Sequence, residues 1–289
     1  MRAHLLLVAL AVCAALAPFA GAHAQGCSNV PPQPATVADA QTYIYRTASG
    51  RPLRVHVFRP EGEGVHPAIL FFFGGGWRQG SVTQFLGQAE AAKAKGYVAI
   101  LADYRVVCRD GVSPVESTSD ARAAYAWLLD HAVHLGVDSR RIVLSGGSAG
   151  GQLAAVTAML APSGEAPAAL VLFNPALDLT TLAPLLKLAP GVAASISPSA
   201  LPINDLPPTI IFHGVADVVV PIQIARAFCN RAEAAGRSCE LHEYPGQNHG
   251  FFNSHAADPA SHISPYDDTL LRTFDFLRGL PAMARVPER

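Results

Sequence analysis

Short, mostly apolar runs alternate with longer stretches of helical periodicity through most of this chain. The runs cover residues 68–73, 97–102, 142–144, 169–173, 209–212 and 239–244. Apolar residues recur at helical spacing in 83–95, 119–135, 149–160 and 221–235, and residues 268–280 close the pattern with an amphipathic helix. A strand that is apolar along nearly its whole length must be covered on both faces. The alternation therefore predicts an α/β fold: a mostly parallel central sheet with helices on both faces. Residues 41–60 instead alternate apolar and polar side chains around Ala48-Ser49-Gly50, which predicts a β-hairpin. Residues 178–208 break the rhythm with Leu, Ala, Ser and Pro, and are expected to form a small cap insertion over one edge of the sheet. With 289 residues, half of them apolar, the chain suits one large domain with a sizeable core.

The ends and the charge limit where such a domain works. Arg2, an apolar run from Leu5 to about Leu16 and the small-x-small Ala22-His23-Ala24 predict a cleavable signal peptide over residues 1–24. A single catalytic domain over 25–289 would follow, secreted or periplasmic. The apolar run is shorter than the ~20 residues a membrane span needs, so no membrane association is expected after cleavage. A net charge of −1 gives no electrostatic reason to expect nucleic acid as a partner. Cys13 would leave with the signal, and Cys27, Cys108, Cys229 and Cys239 remain, enough for two disulfides with three possible pairings. Cys229 lies on a predicted helix and Cys239 begins the strand returning beside it, so these two are expected to pair.

The run 142–144 leads into Ser145-Gly146-Gly147-Ser148-Ala149-Gly150-Gly151 and then a helix. A Gly-x-Ser-x-Gly in a strand-to-helix turn is the arrangement of a nucleophile elbow, in which small neighbours let strand and helix pass closely while the serine hydroxyl projects. The helix N-terminus behind it favours developing negative charge. Such a serine needs a base and an orienting acid, in the chain order serine, acid, histidine. Two later strands run into turns bearing Asp217 and His249, both beyond strand C-termini, where open α/β sheets build their sites. Ser148, Asp217 and His249 are thus the expected catalytic residues. Asp178, which also follows a strand, is the rival acid. His213 and His242 are expected to be scaffold, and His131 and His134 lack a third ligand for a metal. Arg105 and Asp120 are read as a structural ion pair. Backbone N–H groups of Gly75, Gly76 and Ala149 are expected to hold the oxyanion, and Trp77 and Gln79, just after the glycines, to line the substrate cleft.

Taken together, Gly74-Gly75-Gly76-Trp77, Asp103-Tyr104-Arg105, Gly146-Gly147-Ser148-Ala149-Gly150-Gly151, His213-Gly214-x-x-Asp217 and Asn248-His249-Gly250-Phe251 resemble the α/β-hydrolase-fold serine esterases. The likeness is nearest to the hormone-sensitive-lipase-like group and its acetyl-xylan and feruloyl esterase relatives. It spans residues 53–280. It implies a carboxylesterase working through an acyl-enzyme on Ser148 without metal or organic cofactor, on small-molecule or carbohydrate esters of short, acetyl-like acids. The lipase-like group usually carries histidine where Phe73 stands here. A serine exopeptidase of the same fold and a non-catalytic binding protein that kept the fold are the alternatives; the second would usually lack one member of the triad, and all three are present in order.

Overall fold

The computed structural model describes residues 27, 30–257 and 262–283, and the expected signal peptide, residues 1–24, lies outside them. The elements run β1 (Gln41–Ala48), β2 (Arg51–Phe58), β3 (His66–Phe72), α1 (Leu86–Ala94), β4 (Val98–Ala102), α2 (Val107–Asp110), α3 (Pro114–Leu135), β5 (Val137–Gly147), α4 (Ala149–Met159) and β6 (Ala169–Phe173). They continue with α5 (Ala183–Leu186), α6 (Pro190–Ser195), β7 (Thr209–Gly214), α7 (Ile222–Ala234), β8 (Cys239–Tyr244) and α8 (Pro265–Gly279). The strands form one eight-stranded sheet in the order β1-β2-β4-β3-β5-β6-β7-β8. β2 is antiparallel to both β1 and β4, and every other neighbouring pair is parallel. This is the mostly parallel sheet expected from the alternation, in the α/β-hydrolase arrangement that the resemblance implies. The hairpin turns through Ser49 (φ 51°) and Gly50 (φ 73°), the double left-handed turn that matches strand twist.

Every residue of β4 and β6 is buried, as the apolar runs required. β5 is longer than its run. Its first half pairs Val137 with His66 and carries Asp138, with which Arg140 and Arg141 each ion-pair, and these charges hide the strand from a reading of apolarity. α3 begins five residues before its apolar periodicity, at a capping box in which Ser113 and Glu116 satisfy each other's backbone, with Pro114 at the first helical position. Within its first turns, Asp120 is fully buried and holds Arg105 through two side-chain hydrogen bonds, Nε at 2.7 Å and Nη2 at 2.9 Å, and one backbone bond. That pair is structural, as expected.

Two disulfides join the described cysteines. Cys229–Cys239 ties α7 to the start of β8 as predicted, because the helix ends only five residues before the strand begins. Cys27–Cys108 fastens the N-terminal arm to α2 across 81 residues. The arm also grips the loop after β3: Gln33 donates to Gly80 O and accepts from Val82 N–H.

Residues 178–208 carry α5 and α6 and pack Leu179, Ala183, Ala193, Ile196, Ile203 and Leu206 inward. The buried Ser197 Oγ accepts from Leu179 N–H and donates to Leu177 O. Arg231 on α7 donates to the carbonyls of Pro198, Ser199 and Leu201. The insertion is pinned to the body at several points.

Candidate active site

Six parallel strands end on one edge of the sheet, and loops from several of their C-terminal ends meet there. β5 runs buried through Gly147 into Ser148, the first residue after Ile142 to regain exposure. Ser148 has φ 53° and ψ −117°, a strained conformation for a residue with a Cβ. Its neighbours fix it there: Ser148 N–H donates to Phe173 O (2.9 Å), and Ser148 O accepts from Gln152 N–H and Ala176 N–H. The turn has no room for larger residues. A Cβ on Gly150 would lie 2.0 Å from Phe72 O, which is why the motif demands glycine at that position.

Asp217, on the loop after β7, and His249, on the loop after β8, converge on the serine. Ser148 Oγ–H donates to His249 Nε2 (2.9 Å), and His249 Nδ1–H donates to Asp217 Oδ2 (2.7 Å). Asp217 Oδ1 accepts from the N–H groups of Val219 and Val220 at 2.8 and 2.9 Å. His213 Nε2–H donates to Val220 O (2.8 Å) and lies 3.4 Å from Asp217 Oδ2. Burial pushes the Asp217 carboxyl up, but the nearby His213 ring and the hydrogen bonds from His249 and Val220 outweigh it and hold the group well below the usual carboxylate range. It therefore stays ionised beside the imidazole. The rival acid, Asp178, makes its contacts locally, accepting from Thr180 and Thr181.

The glycine loop lies alongside. Phe73 stacks on Tyr104 with ring centroids 4.0 Å apart, and Phe73 O accepts from Tyr104 Oη–H (2.6 Å). This stack occupies the position where the resembling lipase group carries histidine. Gly74 N–H donates to Gln84 Oε1 (2.5 Å), and Gly75 O accepts from Arg78 and Gln79 N–H. Gly75 has φ 122°, and a Cβ there would meet Gln79 O at 2.1 Å. Gly75 is exposed and Gly76 half-exposed, while Ala149 opens the helix behind the serine.

Trp77 corrects the expectation that it lines the cleft. Its backbone turns left-handed (φ 57°) and sends the indole into the hydrophobic core, where only 3% of the residue is exposed. Its Nε1–H donates to buried Gln152 Oε1 (2.9 Å), whose amide in turn donates to Ile196 O (2.8 Å). The indole thus links the glycine loop, α4 and the insertion. Gln79 is exposed. Of the other histidines, His131 stacks on Trp127, and His255 lies tilted against Tyr266.

Sequence reasoning missed Asn174. It follows β6 in a left-handed conformation (φ 35°), is 1% exposed, and touches the His249 loop. The rule that placed Asp217 and His249 at strand C-termini also covers Asn174, but a single Asn before Pro175 reads as an ordinary turn.

The profile of the BD-FAE family matches residues 55–172. Carboxylesterase NlhH of Mycobacterium tuberculosis is 27% identical over 266 residues, covering 81% of this chain and 82% of that protein. Esterase LipC of the same organism is 27% identical over 215 residues, and the match spans about half, 53%, of its length. A thermophilic esterase of Thermogutta terrifontis superposes with a TM-score of 0.77 at 36% identity, covering 87% of this chain and 96% of that one. Structures of that enzyme include complexes with propionate and with butyrate and an adduct phosphorylated by paraoxon. With this sheet, this serine turn and an esterase relative aligned along nearly its whole length, the chain belongs to the α/β-hydrolase-fold esterases.

Proposed function

We propose that this protein hydrolyses short-acyl carboxylic esters through an acyl-enzyme on Ser148. The observation that carries the reading is the unbroken line of hydrogen bonds from Ser148 Oγ to His249 Nε2 and from His249 Nδ1 to Asp217 Oδ2. As Ser148 Oγ attacks the ester carbonyl, its proton passes to His249 Nε2, and the ionised Asp217 stabilises the resulting imidazolium. The carbonyl oxygen gains negative charge, and this reading assigns its stabilisation to the N–H groups of Gly75, Gly76 and Ala149. His249 then returns the proton to the departing alkoxide, and water repeats the sequence to free the acid.

Two observations support a short acyl group. The insertion is pinned by Ser197, Arg231 and Gln152, which suits a fixed cover over a small pocket better than a lid that opens onto fat. The Thermogutta esterase has been captured with propionate and butyrate, both short acids. The resemblance to acetyl-xylan and feruloyl esterases extends the reading to carbohydrate esters. Export through residues 1–24 belongs to the same proposal, supported by two disulfides of the kind favoured in an oxidising compartment.

A series of nitrophenyl esters tests the substrate class. kcat/KM is expected to peak at two to four carbons and to fall by eight. Because each methylene accommodated in an apolar pocket is worth roughly 1 kcal/mol or more, a long channel would instead produce a steady rise through eight carbons, and that result would overturn the short-acyl reading.

A further inference from the structure

The histidine loop is anchored at its two ends, where Gln247 N–H donates to Tyr244 O and Phe251 and Phe252 are buried, and its middle is more open. Pro245, Gly246 and Asn248 are exposed, and His249 is half-exposed. On the acid side its anchors are the His249–Asp217 bond and the Ala216 N–H to Gln247 O bond (3.0 Å). An imidazole held through Nδ1 alone can pivot about that bond, and the pivot moves Nε2 away from Ser148. On the serine side the contact comes from Asn174.

Asn174 is fixed more firmly than its place in a turn suggests. Its own N–H donates to Phe212 O (2.7 Å), and its neighbours grip the nucleophile: Phe173 O accepts from Ser148 N–H, and Ala176 N–H donates to Ser148 O. The side chain is buried and reaches across to the histidine loop. Oδ1 accepts from Gly250 N–H (3.1 Å), the peptide immediately after His249. Since only the carbonyl end of the amide accepts a hydrogen bond, Nδ2 faces the ring 3.4 Å from His249 Nε2; that nitrogen's lone pair already takes the Ser148 hydroxyl, so the bond that holds the loop is the one from Gly250 N–H to Oδ1. A buried side chain held left-handed at a strand end is a conformation that persists only where its surroundings impose it.

We infer that Asn174 is a positioning residue: it bridges the Ser148 backbone to the Gly250 peptide and so keeps His249 Nε2 against Ser148 Oγ. Binding of the ester does not pass through this bridge. Proton transfer from Ser148 does, both when the acyl-enzyme forms and when water attacks it. The inference rests on the catalytic reading of Ser148 and His249.

The test compares wild type, Asn174→Gly and Asn174→Ala. Glycine removes the amide while keeping the left-handed backbone free of strain, and alanine removes the amide at some cost in backbone energy. For each protein, active sites are counted by fluorophosphonate titration, and kcat per titrated site, KM and the rate of phosphonylation are measured on a short ester. Both variants are expected to lose about 10- to 100-fold in kcat per site and in phosphonylation rate together, with KM within about two-fold of wild type. A kcat per site within two-fold of wild type in Asn174→Gly would overturn the inference. So would a loss explained wholly by fewer titratable sites, which would make the residue merely structural. Failure of wild type to label at Ser148 would instead contradict the catalytic reading itself, so the two failures are distinguishable.

Discussion

Ser148→Ala is expected to lower turnover of a short ester by several powers of ten, on the order of 10⁵ or more, while the protein folds as before. Among the described residues the Oγ has its hydrogen bond with His249 and no other. The backbone bonds that hold the strained turn, to Phe173, Gln152 and Ala176, do not involve the hydroxyl, and alanine keeps the same Cβ. The melting temperature should therefore move by no more than a few degrees. Measured side by side, the expected result is an intact far-ultraviolet spectrum with activity at the level of background hydrolysis. Retention of more than a tenth of the wild-type kcat would remove Ser148 from the role of nucleophile.

Asp217→Asn is expected to cost about 10³- to 10⁴-fold in kcat, by a route that the bonding around the carboxylate makes explicit. Oδ1 takes two backbone N–H groups and Oδ2 takes His249 Nδ1–H, with His213 Nε2 close by. An asparagine that keeps its oxygen on the backbone donors turns an NH₂ toward both histidines. His249 must then present Nδ1 as an acceptor, which leaves its proton on Nε2, where it cannot receive one from Ser148. Asp178→Asn supplies the contrast. Its carboxylate bonds to Thr180 and Thr181, so activity should stay within about two-fold of wild type. A larger loss from Asp178→Asn than from Asp217→Asn would show that the acid is misassigned.

What could be read from the sequence follows from what each signal physically is. Fully buried strands such as β4 and β6 must be apolar throughout, so their runs marked them almost to the residue. The first half of β5 is held by backbone pairing and ion pairs, and neither leaves an apolar trace. The start of α3 is likewise set by a cap and a buried ion pair, which look polar in sequence. Ser148, Asp217 and His249 were legible because parallel strands deliver their C-terminal residues to one edge, whatever the intervening loops do. Trp77 was misread because nearness in sequence to the glycine loop says nothing about side-chain direction. One left-handed φ sends the indole into the core. Asn174 was missed because its importance lies in two contacts with a loop more than seventy residues away.

Catalysis is proposed to turn on the Ser148 hydroxyl, activated by His249 and Asp217. The most direct measurement is reaction with a fluorophosphonate followed by peptide mass spectrometry of wild type, Ser148→Ala and His249→Ala. The account predicts one adduct per wild-type chain, carried by the peptide containing Ser148 and formed in step with loss of esterase activity. It also predicts no adduct in Ser148→Ala and greatly slowed labelling in His249→Ala. An adduct on any other residue that accompanies loss of activity, or undiminished labelling of Ser148→Ala, would contradict it.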